Sequence, residues 1–296
     1  MLSETPRTKP TIFIVPGAWH TPECFDALRE VLESHGYPTE SIAHPSIGAE
    51  PPTKTLDDDA DNVRTTLSRL IDEEGKEVVL IGHSYGGNVV SSASDGFGRA
   101  TRAAQGKTGG ISLLIYLTGF VVPKGKSLLV ALGGQWQPWM KFDGEYSYAS
   151  DEANIFYNDL SPEEQKKWVA KLRHGSKASY TTPITHEPWH YMPCAYVFCD
   201  EDHALPPSAQ DFMVQTIKGE DGGEPEAGPL LTARLPASHS PFLSMPLKTA
   251  ETIEKLMAEV GKYANVIANC PCNHIVGMVG GDAMQERRSA SVLESS

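Results

Sequence analysis

Ser84 lies in Gly82-His83-Ser84-Tyr85-Gly86, with Gly87 directly after it. This is the G-x-S-x-G spacing of a serine set on a sharp strand-to-helix turn, its hydroxyl exposed. The context fits: an apolar run over residues 77–81 precedes it and a stretch of small residues follows. The glycines let the backbone turn and leave room for neighbouring elements, and the adjacent helix N-terminus favours developing negative charge. A tight turn without catalysis would also satisfy the bare pattern; the strand before it and the helix after it favour the chemical reading.

A serine hydroxyl is a weak nucleophile and needs a base. Of ten histidines, His83 is adjacent, but its side chain should point away from that of Ser84. His239 is the better candidate. It stands in Ala237-Ser238-His239-Ser240-Pro241, just after the last expected strand. Loops at the C-terminal ends of parallel strands converge on one crevice, and Ser84 sits at such an end too. The base needs an orienting acid, and the apolar run over 195–199 leads into Asp200-Glu201-Asp202. An acid there would fix the tautomer of His239 and stabilise its imidazolium; composition does not choose among the three. The oxyanion of an acyl transfer needs two backbone donors. Tyr85 N–H supplies one, and Ala18 N–H, in the loop Pro16-Gly17-Ala18-Trp19, supplies the other.

These residues need a scaffold that brings strand ends together. Short apolar runs over 11–15, 77–81, 111–117, 194–199 and 230–235 alternate with helical patterns over 22–35, 56–74, 84–97 and 247–260, and another after Pro206-Pro207. A weaker strand is expected over 39–43. Near-continuous apolar strands between helices predict an α/β protein, a mainly parallel sheet covered on both faces. Residues 99–110 and 218–228 read as exposed loops, and 269–296 as a mobile polar tail. The expected organisation is a polar extension over 1–10 and a single domain over 11–268.

The stretch 122–191 breaks the alternation. It holds Trp136, Trp139, Trp168 and Trp189, many other aromatics, and a capping-box start at Ser161-Pro162-Glu163-Glu164 that predicts a helix over 162–172. It is expected to be an aromatic-rich helical cap over a pocket, with Trp19, Phe120, Trp136, Trp139, Phe156 and Trp189 as candidate substrate-binding residues. Aromatics that merely form the insertion's own core are the alternative.

A formal net charge of −13 argues against nucleic acid or an anionic membrane as partner. No run nears the ~20 apolar residues of a membrane span. The polar start, the lack of an N-x-S/T site and five scattered cysteines suggest reduced thiols and a cytoplasmic home. Cys270-Pro-Cys272 with His274 has no standard zinc spacing. The expected chemistry requires neither metal nor cofactor, and the sequence leaves the oligomeric state open.

Four segments carry a family resemblance: IFIVPGAW, GHSYGG, DEDHALP and SHSPFLSMP. Over residues 11–260 the chain resembles the α/β-hydrolase superfamily, in the branch of methyl-salicylate-type esterases, hydroxynitrile lyases and many fungal and bacterial esterases. The resemblance implies the α/β-hydrolase fold, with about six strands in the mainly parallel sheet, and a catalytic triad of Ser84, Asp202 and His239. That branch places its acid four residues before a loop proline, so Glu201-Asp202-His203-Ala204-Leu205-Pro206 selects Asp202. Its usual His-Gly before the oxyanion loop is Pro16-Gly17 here. Its lyases carry Thr at the Gly17 position and Lys at the Ser240 position, so a lyase is disfavoured. The implied activity is hydrolysis of a carboxylic ester or lactone of an apolar or aromatic small molecule. A C–C bond hydrolase or lyase on a polyketide-like substrate, an amidase, and a small-molecule binding protein are the rivals.

Overall fold

Val, Ile, Leu and aromatic residues fill the apolar runs, and a backbone extended through such residues is stable only with both faces covered. The computed structural model, which describes residues 9–218 and 230–268, shows this arrangement. In chain order the main elements are β1 (Thr11–Val15), a 3₁₀ turn (Pro22–Phe25), α1 (Asp26–Ser34), β2 (Thr39–Ser41), α2 (Leu56–Ser68), β3 (Glu77–His83), α3 (Gly86–Ala93), α4 (Arg99–Ala104) and β4 (Gly110–Leu117). Then come α5 (Leu128–Ala131), β5 (Met140–Asp143), β6 (Tyr146–Ala149), α6 (Glu152–Phe156), α7 (Pro162–Val169), β7 (Gly175–Ser176) and α8 (Ala178–Thr181). The chain returns through β8 (Cys194–Cys199), α9 (Pro207–Lys218), β9 (Leu231–Leu235), α10 (Pro241–Ser244) and α11 (Pro246–Ala268). One compact unit reaches Leu256; a second begins at Met257 and, among the described residues, is the end of α11.

Strands β2-β1-β3-β4-β8-β9 form one sheet, every pair parallel. Every residue of β1 and β8 is buried. Chain direction across the sheet reverses between β1 and β3, and a crevice opens there beyond the strand ends. The loops leaving β1, β3, β4, β8 and β9 all emerge at that edge, which explains how residues 18, 84, 118, 202 and 239 meet.

The helix boundaries follow local chemistry. Thr55 and Asp58 form a reciprocal capping box at the start of α2. At α7 only half of the expected box exists. The Ser161 hydroxyl accepts from Glu164 N–H, but the Glu164 carboxylate is drawn to Lys167 and the Trp168 indole instead. Residues 99–104, expected as loop, form helix α4, whose Arg102 is buried and ion-paired to Asp72. The insertion between β4 and β8 is not wholly helical. It contains an antiparallel sheet, β5-β6-β7, beside short helices. Its strands have two to four residues, too few to display a period, although Asp143-Gly144 marks the hairpin turn. Most of the 218–228 loop and the 269–296 tail lie outside the described residues, as do Cys270, Cys272 and His274. Cys24, Cys194 and Cys199 are free, buried thiols. Among the described residues no helix is long and apolar enough to cross a membrane.

Candidate active site

Strand β3 ends in a turn that holds Ser84 at φ 53°, a left-handed conformation costly for a residue with a side chain. Surrounding bonds hold it there: Ser84 N–H donates to Leu117 O, and Ser84 O accepts from Gly87 and Phe120 N–H. Gly86 lets α3 approach β1, since a Cβ there would sit 2.4 Å from the Pro16 carbonyl oxygen. Among the described residues no hydrogen bond joins the Ser84 hydroxyl to His239, but both residues line one cavity.

His239 follows β9 and is buried. Its Nδ1 lies 2.7 Å from Asp202 Oδ2. Asp202 is buried as well and receives three further donors: Ala204 and Leu205 N–H at 2.8 Å on Oδ1, and the Thr118 hydroxyl at 2.5 Å on Oδ2. The neighbouring acids do other things. Asp200 pairs with Arg234 at 2.8 Å, and Glu201 is exposed. Thr118, at the end of β4 and not anticipated from sequence, is thus a fourth member of the constellation.

His83 makes no hydrogen bond with Ser84 among the described residues; its ring is engaged with His239 instead. Its ring packs 4.7 Å from that of His239, and its Nε2–H donates to the His239 carbonyl at 2.8 Å. Burial, then the nearby His239 and His20, push its pKa well below the usual histidine range, so it stays neutral. The loop of His239 is held also from the insertion. Ser238 N–H donates to Asp159 Oδ2 at 2.9 Å, and the Ser238 hydroxyl donates to Phe156 O.

Ala18 and Tyr85 border the same cavity as Ser84 and His239. Tyr85 is anchored by its hydroxyl, which donates to Asp59 Oδ2 at 2.7 Å. Asp59 is itself fully buried and accepts from Ser46 N–H and Oγ–H. Gly17 packs against the nucleophile: a Cβ there would lie 2.8 Å from Ser84 Cβ.

The cavity is narrow, with about 30 Å³ of free space. Of the expected substrate-binding residues, Trp19, Phe120 and Trp139 line it. The other three stand elsewhere. Phe156 backs the wall, tilted against Trp19 and His239; Trp136 packs on Phe142; Trp189 is buried beside His190. Leu128, Leu132, Met140 and Tyr180, which sequence reasoning missed, complete the apolar wall, and Gln137 adds an amide. Among the described residues no Asp, Glu, Lys or Arg lines the cavity. Among the described residues no cluster of three or more metal-ligating side chains exists. A wider charged groove at the N-terminal ends of β1 and β3 has its cations engaged, Arg99 with Glu77 and Lys76 with Glu74.

Comparison with known proteins agrees with this architecture. Alpha/beta hydrolase nvfD of Aspergillus novofumigatus is 30% identical over 247 residues, 80% of this chain and 92% of that protein. Methylesterase 1 of Arabidopsis thaliana is 24% identical over 73% of this chain and 87% of its own length. The crystal structure of a pyrethroid hydrolase from Sphingobium faniae superposes with a TM-score of 0.61 at 23% identity, covering 84% of this chain and 97% of that one. A family model spans residues 12–252, and so the parallel sheet, the Ser84 turn and the loops that meet it are those of a member of the alpha/beta hydrolase family.

Proposed function

We propose that this hydrolase is a serine esterase, cleaving a carboxylic ester or lactone of a neutral apolar or aromatic small molecule through an acyl-enzyme. The observation that carries the reading is the Asp202–His239 contact at 2.7 Å, beside a serine in a strained turn that shares one cavity with His239. The short contact of His239 Nδ1 with Asp202 Oδ2 places the ring hydrogen on Nδ1 and leaves Nε2 to act as base.

Ser84 Oγ attacks the carbonyl carbon as its proton passes to His239 Nε2. The carbonyl electrons move to oxygen, where Ala18 and Tyr85 N–H groups meet the charge. Collapse expels the alcohol oxygen, which takes the proton from His239. Water then loses a proton to His239, attacks the acyl carbon and frees Ser84, releasing the acid.

Substrate character follows from the wall. Trp19, Phe120, Leu128, Leu132, Trp139 and Met140 offer carbon surface, and an ionised group would be buried there without a partner. The names of relatives, a methylesterase and a pyrethroid hydrolase, support an ester substrate. A lyase reading of the same residues is disfavoured, because Ser240 stands where its members carry the lysine that would face a departing anion.

The test is hydrolysis of a short-chain p-nitrophenyl ester by wild type and Ser84→Ala. Turnover is expected in wild type, with a loss of about 10³-fold or more in the variant. Folded wild-type protein with no turnover, or a variant as active as wild type, would overturn the assignment.

A further inference from the structure

The loop that supplies Ala18 is strained, and the insertion holds it in place. Trp19 has φ 63°, a left-handed conformation that is strained for a bulky residue. Its carbonyl accepts from Arg173 N–H at 3.0 Å, and its indole N–H reaches Ser147. The carbonyl of Ala18 is held differently, by a two-step chain of side chains. His20 Nδ1 lies 2.7 Å from Ala18 O, and His20 Nε2 lies 2.9 Å from the Tyr157 hydroxyl.

The protons in this chain have one consistent arrangement. A carbonyl only accepts, so His20 Nδ1 carries the hydrogen. Burial, the largest influence on His20, lowers its pKa to about 4, so the ring is neutral and Nε2 offers a lone pair. Tyr157 is buried, and burial raises its pKa well above the ordinary value, so its O–H persists and donates. Tyr157 follows α6, in the insertion between β4 and β8; His20 follows β1. The pair ties these two segments together across 137 positions of sequence.

We propose that Tyr157 is a positioning residue for the oxyanion hole: through His20 it holds the Ala18 carbonyl, and thereby aims the Ala18 N–H at the adduct on Ser84. The inference rests on the esterase reading above. One Cα separates the held carbonyl from the donor amide, so release of the carbonyl lets the strained turn at Trp19 relax and swings the N–H. The donor itself remains, so the loss is smaller than that from deleting an oxyanion donor.

The experiment compares wild type, Tyr157→Phe, His20→Asn and the double variant. Three readouts are used: ester kinetics, affinity for an aryl boronic acid as tetrahedral mimic, and thermal unfolding. Asn at position 20 retains a donor for Ala18 O but does not reach Tyr157. Tyr157→Phe is expected to lower kcat on the order of tenfold with KM within about threefold, and to weaken the boronate by the same factor as kcat. On the His20→Asn background the Phe substitution should cost nothing further. A Tyr157→Phe variant with lowered melting temperature but unchanged kcat and boronate affinity would reduce Tyr157 to a packing role. Losses that multiply in the double variant would also overturn the chain through His20. Labelling of Ser84 by an aryl fluorophosphonate separates the two levels of failure. Wild type that neither labels nor turns over refutes the esterase reading, and this inference falls with it. Wild type that does both, with an unaffected Tyr157→Phe, refutes this inference alone.

Discussion

Replacing Asp202 by Asn tests the orientation of the base, because the structure dictates how the amide must lie. Oδ1 accepts two backbone N–H groups, from Ala204 and Leu205, each at 2.8 Å. An amide NH₂ in that place would face two donors, so the amide oxygen takes it. The NH₂ then occupies the place of Oδ2, 2.5 Å from Thr118 Oγ1 and 2.7 Å from His239 Nδ1. The threonine hydroxyl can turn and accept, but His239 Nδ1 must give up its hydrogen and accept as well. That forces the proton onto Nε2, the atom that has to take one from Ser84. A wrong tautomer of this kind lowers kcat by about 10⁴, equivalent to about 5.5 kcal/mol in the barrier. KM should stay near wild type, since Asp202 does not line the cavity. The assay is steady-state p-nitrophenyl ester hydrolysis, with circular dichroism to verify the fold. Asp200→Asn and Glu201→Gln serve as controls and should remain within about threefold, as both side chains face solvent. A loss below about tenfold for Asp202→Asn, or an equal loss for Asp200→Asn, would refute the assignment of the acid.

Three further outcomes are expected. Gly17→Ala should lower kcat at least about tenfold and cost about 1–3 kcal/mol in urea unfolding, because its Cβ would meet Ser84 Cβ at 2.8 Å and His83 Nδ1 at 3.0 Å; unchanged kinetics would show that the loop yields freely. Tyr85→Phe removes a hydrogen bond to the buried Asp59 carboxylate and should cost about 2 kcal/mol by the same measurement; a cost near zero would mean that Asp59 needs only its Ser46 donors. Acid should destabilise the protein through His20. Its pKa is about 4 when folded and 6.5 in the reference state. Between these values the unfolded chain binds a proton that the folded one refuses, so stability falls as pH drops through the window and levels off below it. The full contribution is about 3 kcal/mol, and the burial-depressed pKa of His83 acts with the same sign. Urea midpoints at pH 7.5 and 4.5 should therefore differ less in His20→Asn than in wild type, and an equal difference would contradict the assignment.

The sheet and the turn that presents Ser84 were legible because their signals are local. Apolar strands such as TIFIV and CAYVFC admit one role, and G-x-S-x-G between a strand and a small-residue helix admits few others. His239 was expected after the last strand, and the structure places it there beside Asp202. The choice of Asp202 over Asp200 came only from the family pattern; its physical basis, the donors from Thr118, Ala204 and Leu205, is spread over 88 positions and has no local trace. The insertion was the least legible part. Its aromatic content was visible, but the direction of each ring was not. Trp139 faces the cavity while Trp136 and Trp189 do not, because short strands and single helical turns carry too little periodicity to assign faces. His20 and Tyr157 lie far apart in sequence and could not be paired before the fold was known.

The left-handed turn at Ser84 has a consequence for how such a protein diversifies. At φ 53° a β-branched side chain is a severe outlier, whereas Asp and Asn visit that region more readily than most residues. Threonine, one methyl group from serine, is therefore closed to this position even though it keeps the hydroxyl. Cysteine keeps serine's shape, and aspartate suits the backbone. The nucleophiles open to a single residue replacement are thus sorted by backbone geometry before their reactivity is ever tried, and new chemistries at position 84 have to begin from that short set.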